Sequence, residues 1–543
     1  MKNAVYFLIF FFVTSCYQGL EADLIVHNAK IYSCDESFTM YEAMAIKDGK
    51  ILELGPEREI LNRYDCDNKI DAQLKPVYPG FHDAHCHFWS YAQTLSEVDL
   101  NGSKTFDEVV SHVVDFEREN KTEWITGRGW DQTLWPENEF PKNDTLNILF
   151  PDKPILIRRV DGHAALANSK ALEIAGITID TKIDGGLIGI ADGKLTGLLL
   201  DNAFDSVAKF IPDFAPEKKL ELLQEAEFNL FAEGLTSIND AGIESKYREE
   251  FINWYTNGDL TIKDYCMLFP DDDNLKFASE KGIFRTGNLH IRSFKMVADG
   301  AMGSRGACLI EPYSDDIHNH GFLLKTEEEF RQIAEFAVEI DYQINTHAIG
   351  DSANRVILKI YAELVQDKPD HRWKIEHAQV LAPEDFHYFE TIRIIPSVQP
   401  THCTSDMRWA EERLGKERVK YAYAYKLLLD KAGLLALGTD FPIENISPLE
   451  TFYAAITRMD KTGKPDGGFY ADQVLTRQEA LLGITRWPAY SNFEDDEKGT
   501  LEPGKSADFV ILTKDIMEIP AAEILKTFVE KTFLDGIEVY SAE

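Results

Sequence analysis

From Gly234 to Asp440 the chain alternates short apolar runs with amphipathic stretches, and this alternation restricts the fold more than any other feature. Apolar runs fall at 235–240, 262–268, 291–298, 343–347, 373–377, 392–398 and 434–440. Amphipathic segments at 327–340 and 352–365 lie between them. Buried parallel strands read as continuous apolar runs, and strands that alternate with helices form right-handed βα units. Residues 76–87 supply one more strand, bringing the count to eight. Eight such units predict an α/β chain folded as a (β/α)8 TIM barrel, with its active site at the C-terminal strand ends.

The remaining segments attach to that barrel. Residues 22–78 are β-rich, and Asp48-Gly49 between two alternating runs is a hairpin signal. The stretch 496–543, with Ala507-Asp-Phe-Val-Ile-Leu512, has the same character. Both chain ends are expected to build one small β-sandwich beside a hydrolase barrel spanning 79–495. A long insertion, 89–233, leaves the C-terminal end of the first strand, where it can form a lid or substrate wall.

The expected strand ends carry chemistry. His85 and His87 stand one residue apart, which puts them on one strand face. Lys295, His347, His377 and Asp440 follow at or near later strand ends, so the set falls on strands 1, 4, 5, 6 and 8. Neutral imidazoles and carboxylates hold zinc or similar divalent ions, and a catalytic site leaves room for water. A bound ion lowers the pKa of water towards neutrality and polarises a carbonyl. Asp440 could bind metal and accept a proton from the attacking water. An ammonium is a poor ligand, so Lys295 serves either as a carbamate, formed with carbon dioxide, or as a salt-bridge partner. Taken singly, an HxH pair or His377 could equally be structural; the ordered set is the specific signal.

The charge of −36 disfavours nucleic acid, because an acidic surface repels phosphate and no dense basic stripe is present. Met1-Lys-Asn, an apolar stretch from Ala4 to Val13 and Thr14-Ser-Cys16 read as an export signal. The stretch is shorter than the roughly 20 apolar residues a spanning helix needs. Val13-Thr-Ser-Cys16 resembles a bacterial lipobox, with residues 1–16 as the signal and Cys16 as the lipidated residue. An exported bacterial lipoprotein, held to a membrane by its lipid alone, is the expectation. The other six cysteines form no CxxC pair, and Cys86 reads as a small core residue.

Nine segments together carry a resemblance. They are Pro79-Gly-Phe-His-Asp-Ala-His-Cys-His87, Gly127-Arg-Gly-Trp-Asp131, Asp161-Gly-His-Ala164, Gly234-Leu-Thr-Ser-Ile-Asn-Asp-Ala-Gly242 and Lys295-Met-Val-Ala-Asp-Gly-Ala-Met-Gly-Ser-Arg305. Further on come Asn345-Thr-His-Ala-Ile-Gly-Asp351, Ile375-Glu-His-Ala-Gln379, Ser397-Val-Gln-Pro400 and Gly438-Thr-Asp-Phe-Pro-Ile-Glu444. With the tail from Gly499, the chain resembles the amidohydrolase superfamily, in its amidohydrolase 3 branch of YtcJ-like proteins and N-substituted formamide deformylases. The resemblance implies one or two divalent ions, usually zinc. It implies His85, His87 and Asp440 at the first ion, His347 and His377 at the second, and Lys295 bridging as a carbamate. It also implies hydrolysis of a non-peptide C–N bond in a small N-acyl, formamide-like or cyclic amide.

Other roles are less specified. Asp83 is placed to orient a ligand. His163 either hydrogen-bonds the substrate carbonyl or stabilises its own loop. Arg128, Trp130 and Asp131 could shape the pocket, Trp130 equally as a core anchor. Arg305 could bind a carboxylate or simply be a surface residue. His82 and His402 are given no ligand role. An esterase or phosphotriesterase on the same barrel, and a non-catalytic ligand-binding lipoprotein, are the alternative readings. Homo-oligomerisation is compatible with all of them.

Overall fold

The computed structural model describes residues 19–542. The expected export signal, lipobox and Cys16 lie outside the described residues. Eight parallel strands form a nearly closed barrel: Phe81–Cys86, Leu235–Ile243, Lys263–Leu268, Leu289–Val297, Gln343–Ala348, Lys374–His377, Ile395–Val398 and Ala436–Leu437. Helices Glu327–Glu339 and Asp351–Val365 flank the fifth strand, matching the two amphipathic stretches closely. Thr326 and Glu329 cap the first of these reciprocally, which fixes its start.

Two strand expectations needed correction. The run 76–87 is two strands, Pro76–Pro79 and Phe81–Cys86, separated at Gly80. A Cβ at Gly80 would fall 2.2 Å from Thr236 Oγ1, so only glycine allows the chain to pass from one sheet to the next there. The eighth strand is far shorter than 434–440. Its continuation bonds back to the first strand: the Asp440 N–H donates to the His85 carbonyl at 2.7 Å and the His87 N–H to that of Phe441 at 2.9 Å. These bonds bring the barrel seam together directly at the histidine pair.

Both chain ends pair as expected. One sheet runs Ile537–Ser541, Val529–Leu534, Phe509–Leu512, Pro76–Pro79, Lys30–Tyr32, Met40–Tyr41, mixing residues from the two termini. A four-stranded sheet, with Ala43–Lys47 and Lys50–Gly55 joined through Asp48-Gly49, faces it. Both turn residues have positive φ, as a two-residue hairpin requires. Val26, Met44, Val77, Phe509 and Phe533 fill the space between, with the last two rings stacked at 4.3 Å.

The insertion has a six-stranded sheet of its own between Val98 and Asp201, with separate apolar clusters. Helix Pro216–Ala232 then returns to the barrel, where Leu222, Ala226 and Leu230 pack into the main core. The six described cysteines are all free thiols, and Cys86 is buried.

Candidate metal centre

The first, sixth and eighth strands bring His85, His377 and Asp440 together with ligand atoms within 4.8 Å of one another. His87 joins them from just past the first strand, its Nε2 3.1 Å from Asp440 Oδ1; His85 Nε2 is 3.5 Å from the same oxygen. The His347 ring lies 4.4 Å, centroid to centroid, from that of His377. Lys295 Nζ is 3.1 Å from His85 Nε2. All six residues expected from the sequence therefore converge.

Neighbouring acceptors set how these rings present themselves. His85 Nδ1 bonds to Glu376 Oε2 at 2.6 Å, and His377 Nδ1 to Gln399 Oε1 at 2.8 Å. Each bond places the ring proton on Nδ1 and turns the Nε2 lone pair inward, as a metal ligand needs. Burial lowers the pKa of His85, His347 and His377 far below the ordinary imidazole value, so they stay neutral. Burial works against ionisation of Asp440. The adjacent His87, His85 and His402 rings outweigh it and hold the carboxyl below its ordinary range. Burial also lowers Lys295, against the charges of Glu376, Asp440 and Asp240.

These donors fit a divalent ion. His347 Nε2 is buried with no hydrogen-bond partner among the described residues, and the buried Asp440 Oδ1 faces only the Nε2 atoms of His87 and His85, themselves candidate ligand atoms. Such orphaned atoms are costly unless something completes them. His377 and Asp440 also adopt left-handed backbone, with φ of +73° and +62°. For non-glycine residues this is strained, and strain of this kind gathers at functional sites.

A cavity of about 250 Å³ opens over the centre, lined by His163, His347, His377, His402 and Asp440. His163 reaches it from the insertion, its Nδ1 held by Asp201 at 2.8 Å. Burial alone would lower the His163 pKa, but the Asp201 bond and the charges of Asp161, Asp201 and Asp299 raise it overall.

The remaining expected contacts divide. Asp131 lines the cavity but is engaged by Arg159 and Arg408, both at 2.7 Å. Arg128 is buried beside it and donates to the Val160 carbonyl. Trp130 is a core residue, as its alternative reading held: it is fully buried and its Nε1 donates to Ile157. Arg305 lies outside the cavity and pairs with Asp315 at 2.8 Å, which fits the surface-residue alternative. Asp83 orients no ring. It accepts the N–H groups of His85 and Thr439 and so clamps the barrel seam.

Sequence reasoning missed Glu376 and Gln399, and it gave His402 no ligand role. Lys374 and Glu376 alternate into the barrel, and the left-handed His377 turns inward immediately after them. Counting back from an inward His377, strict alternation would have sent Glu376 outward. His402, on helix Pro400–Arg418, places Nε2 3.6 Å from Asp440 Oδ2 and stacks on His377.

Comparison with known proteins agrees with this geometry. A family model described as "Amidohydrolase family" matches residues 69–540. Protein LONG AFTER FAR-RED 3 of Arabidopsis thaliana is 32% identical, covering 96% of this chain and 92% of its own. The N-substituted formamide deformylase of Arthrobacter pascens is 25% identical, covering 95% and 98% respectively. An uncharacterised metal-dependent hydrolase from Pyrococcus horikoshii superimposes with a TM-score of 0.76 at 29% identity, covering 92% of this chain and 99% of that one. A matched span of 69–540, with a histidine and aspartate centre at the strand ends, means that the chain belongs to the amidohydrolase family.

Proposed function

We propose that the protein hydrolyses the C–N bond of a small non-peptide amide, with formamide-like N-acyl amines the first class and cyclic amides the next. The observation that carries this reading is the convergence of His85, His377 and Asp440 beneath a small cavity faced by a histidine of raised pKa. The printed activity of the deformylase relative supports the choice of bond.

A divalent ion, when bound, supplies Lewis-acid activation of water and of the scissile carbonyl. His85, His87 and Asp440 would hold one ion, and His347 and His377 a second. Lys295, whose burial favours the neutral amine, would add carbon dioxide and lose a proton to give a carbamate, an anionic oxygen donor in place of an ammonium. Asp440 accepts a proton from the attacking water and returns it to the departing nitrogen. His163, with Nδ1 fixed by Asp201, offers Nε2–H to the carbonyl oxygen as negative charge develops there.

The test is metal analysis of the signal-free protein with turnover of matched amide and ester analogues. Two ions per chain and a preference for the amide are expected. His347→Ala and Asp440→Asn should each lower kcat by at least about 100-fold while the circular dichroism spectrum is kept. Full turnover in either variant, or faster ester cleavage, would refute the assignment.

A further inference from the structure

We infer that the substrate carries a short cationic arm on its amine portion, an ammonium or amidinium group that docks between Asp406 and Glu444 in the wall of the cavity. This deepens the amide-hydrolase reading and rests on it. Asp406 follows His402 by four residues on helix Pro400–Arg418, so the two side chains share one face about 5–6 Å apart. His402 in turn stands 3.6 Å from Asp440. The carboxylate is thus about one helical turn from the reacting centre, a distance that a short alkyl arm spans.

Both carboxylates line the cavity and are satisfied only by neutral groups. Asp406 accepts from the Tyr423 hydroxyl at 2.8 Å and the Gln379 amide at 3.5 Å; Glu444 accepts from the Ser405 hydroxyl at 2.6 Å. Among the described residues no lysine, arginine or histidine nitrogen lies within 4.0 Å of either. Nearby cations are already engaged: Arg159 by Gln132, Asp131 and Asp161, Arg408 by Asp131, and Lys461 by Glu450 at 2.7 Å. Burial pushes both carboxyls up, Asp406 to about 7, and the neighbouring His402, with Arg408 near Asp406 and Lys461 near Glu444, offsets it only in part.

The space is also reachable from solvent. Glu444 also lines an adjoining open pocket of about 880 Å³, so an arm has a route in past it. With the arginines neutralised and a chain charge of −36, a substrate carboxylate has no comparable place.

The experiment compares three formamides with equal spacers on the zinc-loaded protein: N-formylputrescine, N-pentylformamide and N-formyl-δ-aminovalerate. We expect kcat/KM for the cationic probe to exceed that of the neutral one by about tenfold or more, with the anionic probe poorest. In Asp406→Asn/Glu444→Gln the ratio of cationic to neutral should fall towards one. Equal rates, an anionic preference, or a ratio unmoved by the double variant would overturn the inference. If no probe turns over, the hydrolytic reading fails separately, and calorimetric titration of the same probes decides. Tighter binding of N-formylputrescine that is lost in the double variant supports the cation site; its absence overturns it.

Discussion

The bond from His85 to Glu376 shows how a residue that touches no substrate can govern the centre. Glu376 is fully buried and fixes both the proton position and the angle of the His85 ring. Glu376→Gln should weaken metal affinity by about 10–100-fold, the range found for partners of liganding histidines, with little change in unfolding midpoint of the metal-free protein. Competition with a chelator measures the first quantity and denaturant titration the second. His163 gives a pH prediction with a definite sign. Its pKa is raised, so the cationic form dominates below that value and is lost as pH rises through it. The alkaline limb of kcat should therefore contain a His163 ionisation, and His163→Gln should lower kcat and flatten that limb. A pH–rate profile of both proteins reads this out.

Among the elements, the two-ended sandwich is the simplest to separate from the chemistry. Phe533, on strand Val529–Leu534, is buried against Phe509 in a core remote from the metal ligands. Phe533→Ala should cost about 3–5 kcal/mol of stability, measured by denaturant unfolding, while metal content stays at the wild-type level. The strands themselves were legible because their apolar runs are long and regularly spaced. Glycines and seams were less so. The break at Gly80 follows from the approach of Thr236, and the short eighth strand follows from the turn at Asp440 meeting the first strand. Neither contact is local in sequence. The helix 327–340 was found nearly to the residue, because its Thr326–Glu329 cap is a local device.

For the molecule as a whole, the barrel and the insertion meet around one cavity, and the chain-end sandwich has a core of its own that does not line it. No described helix is long and apolar enough to cross a membrane. We propose that export and membrane attachment depend on the lipobox context of Cys16. Cys16→Ser should move the protein from the membrane to the soluble fraction on cell fractionation, and continued membrane association would refute this.

The identity and order of the residues that converge at the strand ends were determined by the sequence itself. An HxH pair, a lysine, two histidines and an aspartate at βα spacing can meet only where a parallel barrel gathers its strand ends, so His85, His87, Lys295, His347, His377 and Asp440 could be named beforehand. Side-chain direction beyond the regular strand was decided by tertiary structure alone. The left-handed backbone at His377 and Asp440 breaks the period-two rule, and with it the fate of Glu376. The roles of Arg305, His402, Asp406 and Glu444 depend on whether a partner lies across a loop or a helix turn. Charge is written in the sequence, but whether a charge is spent or free is a property of the folded neighbourhood.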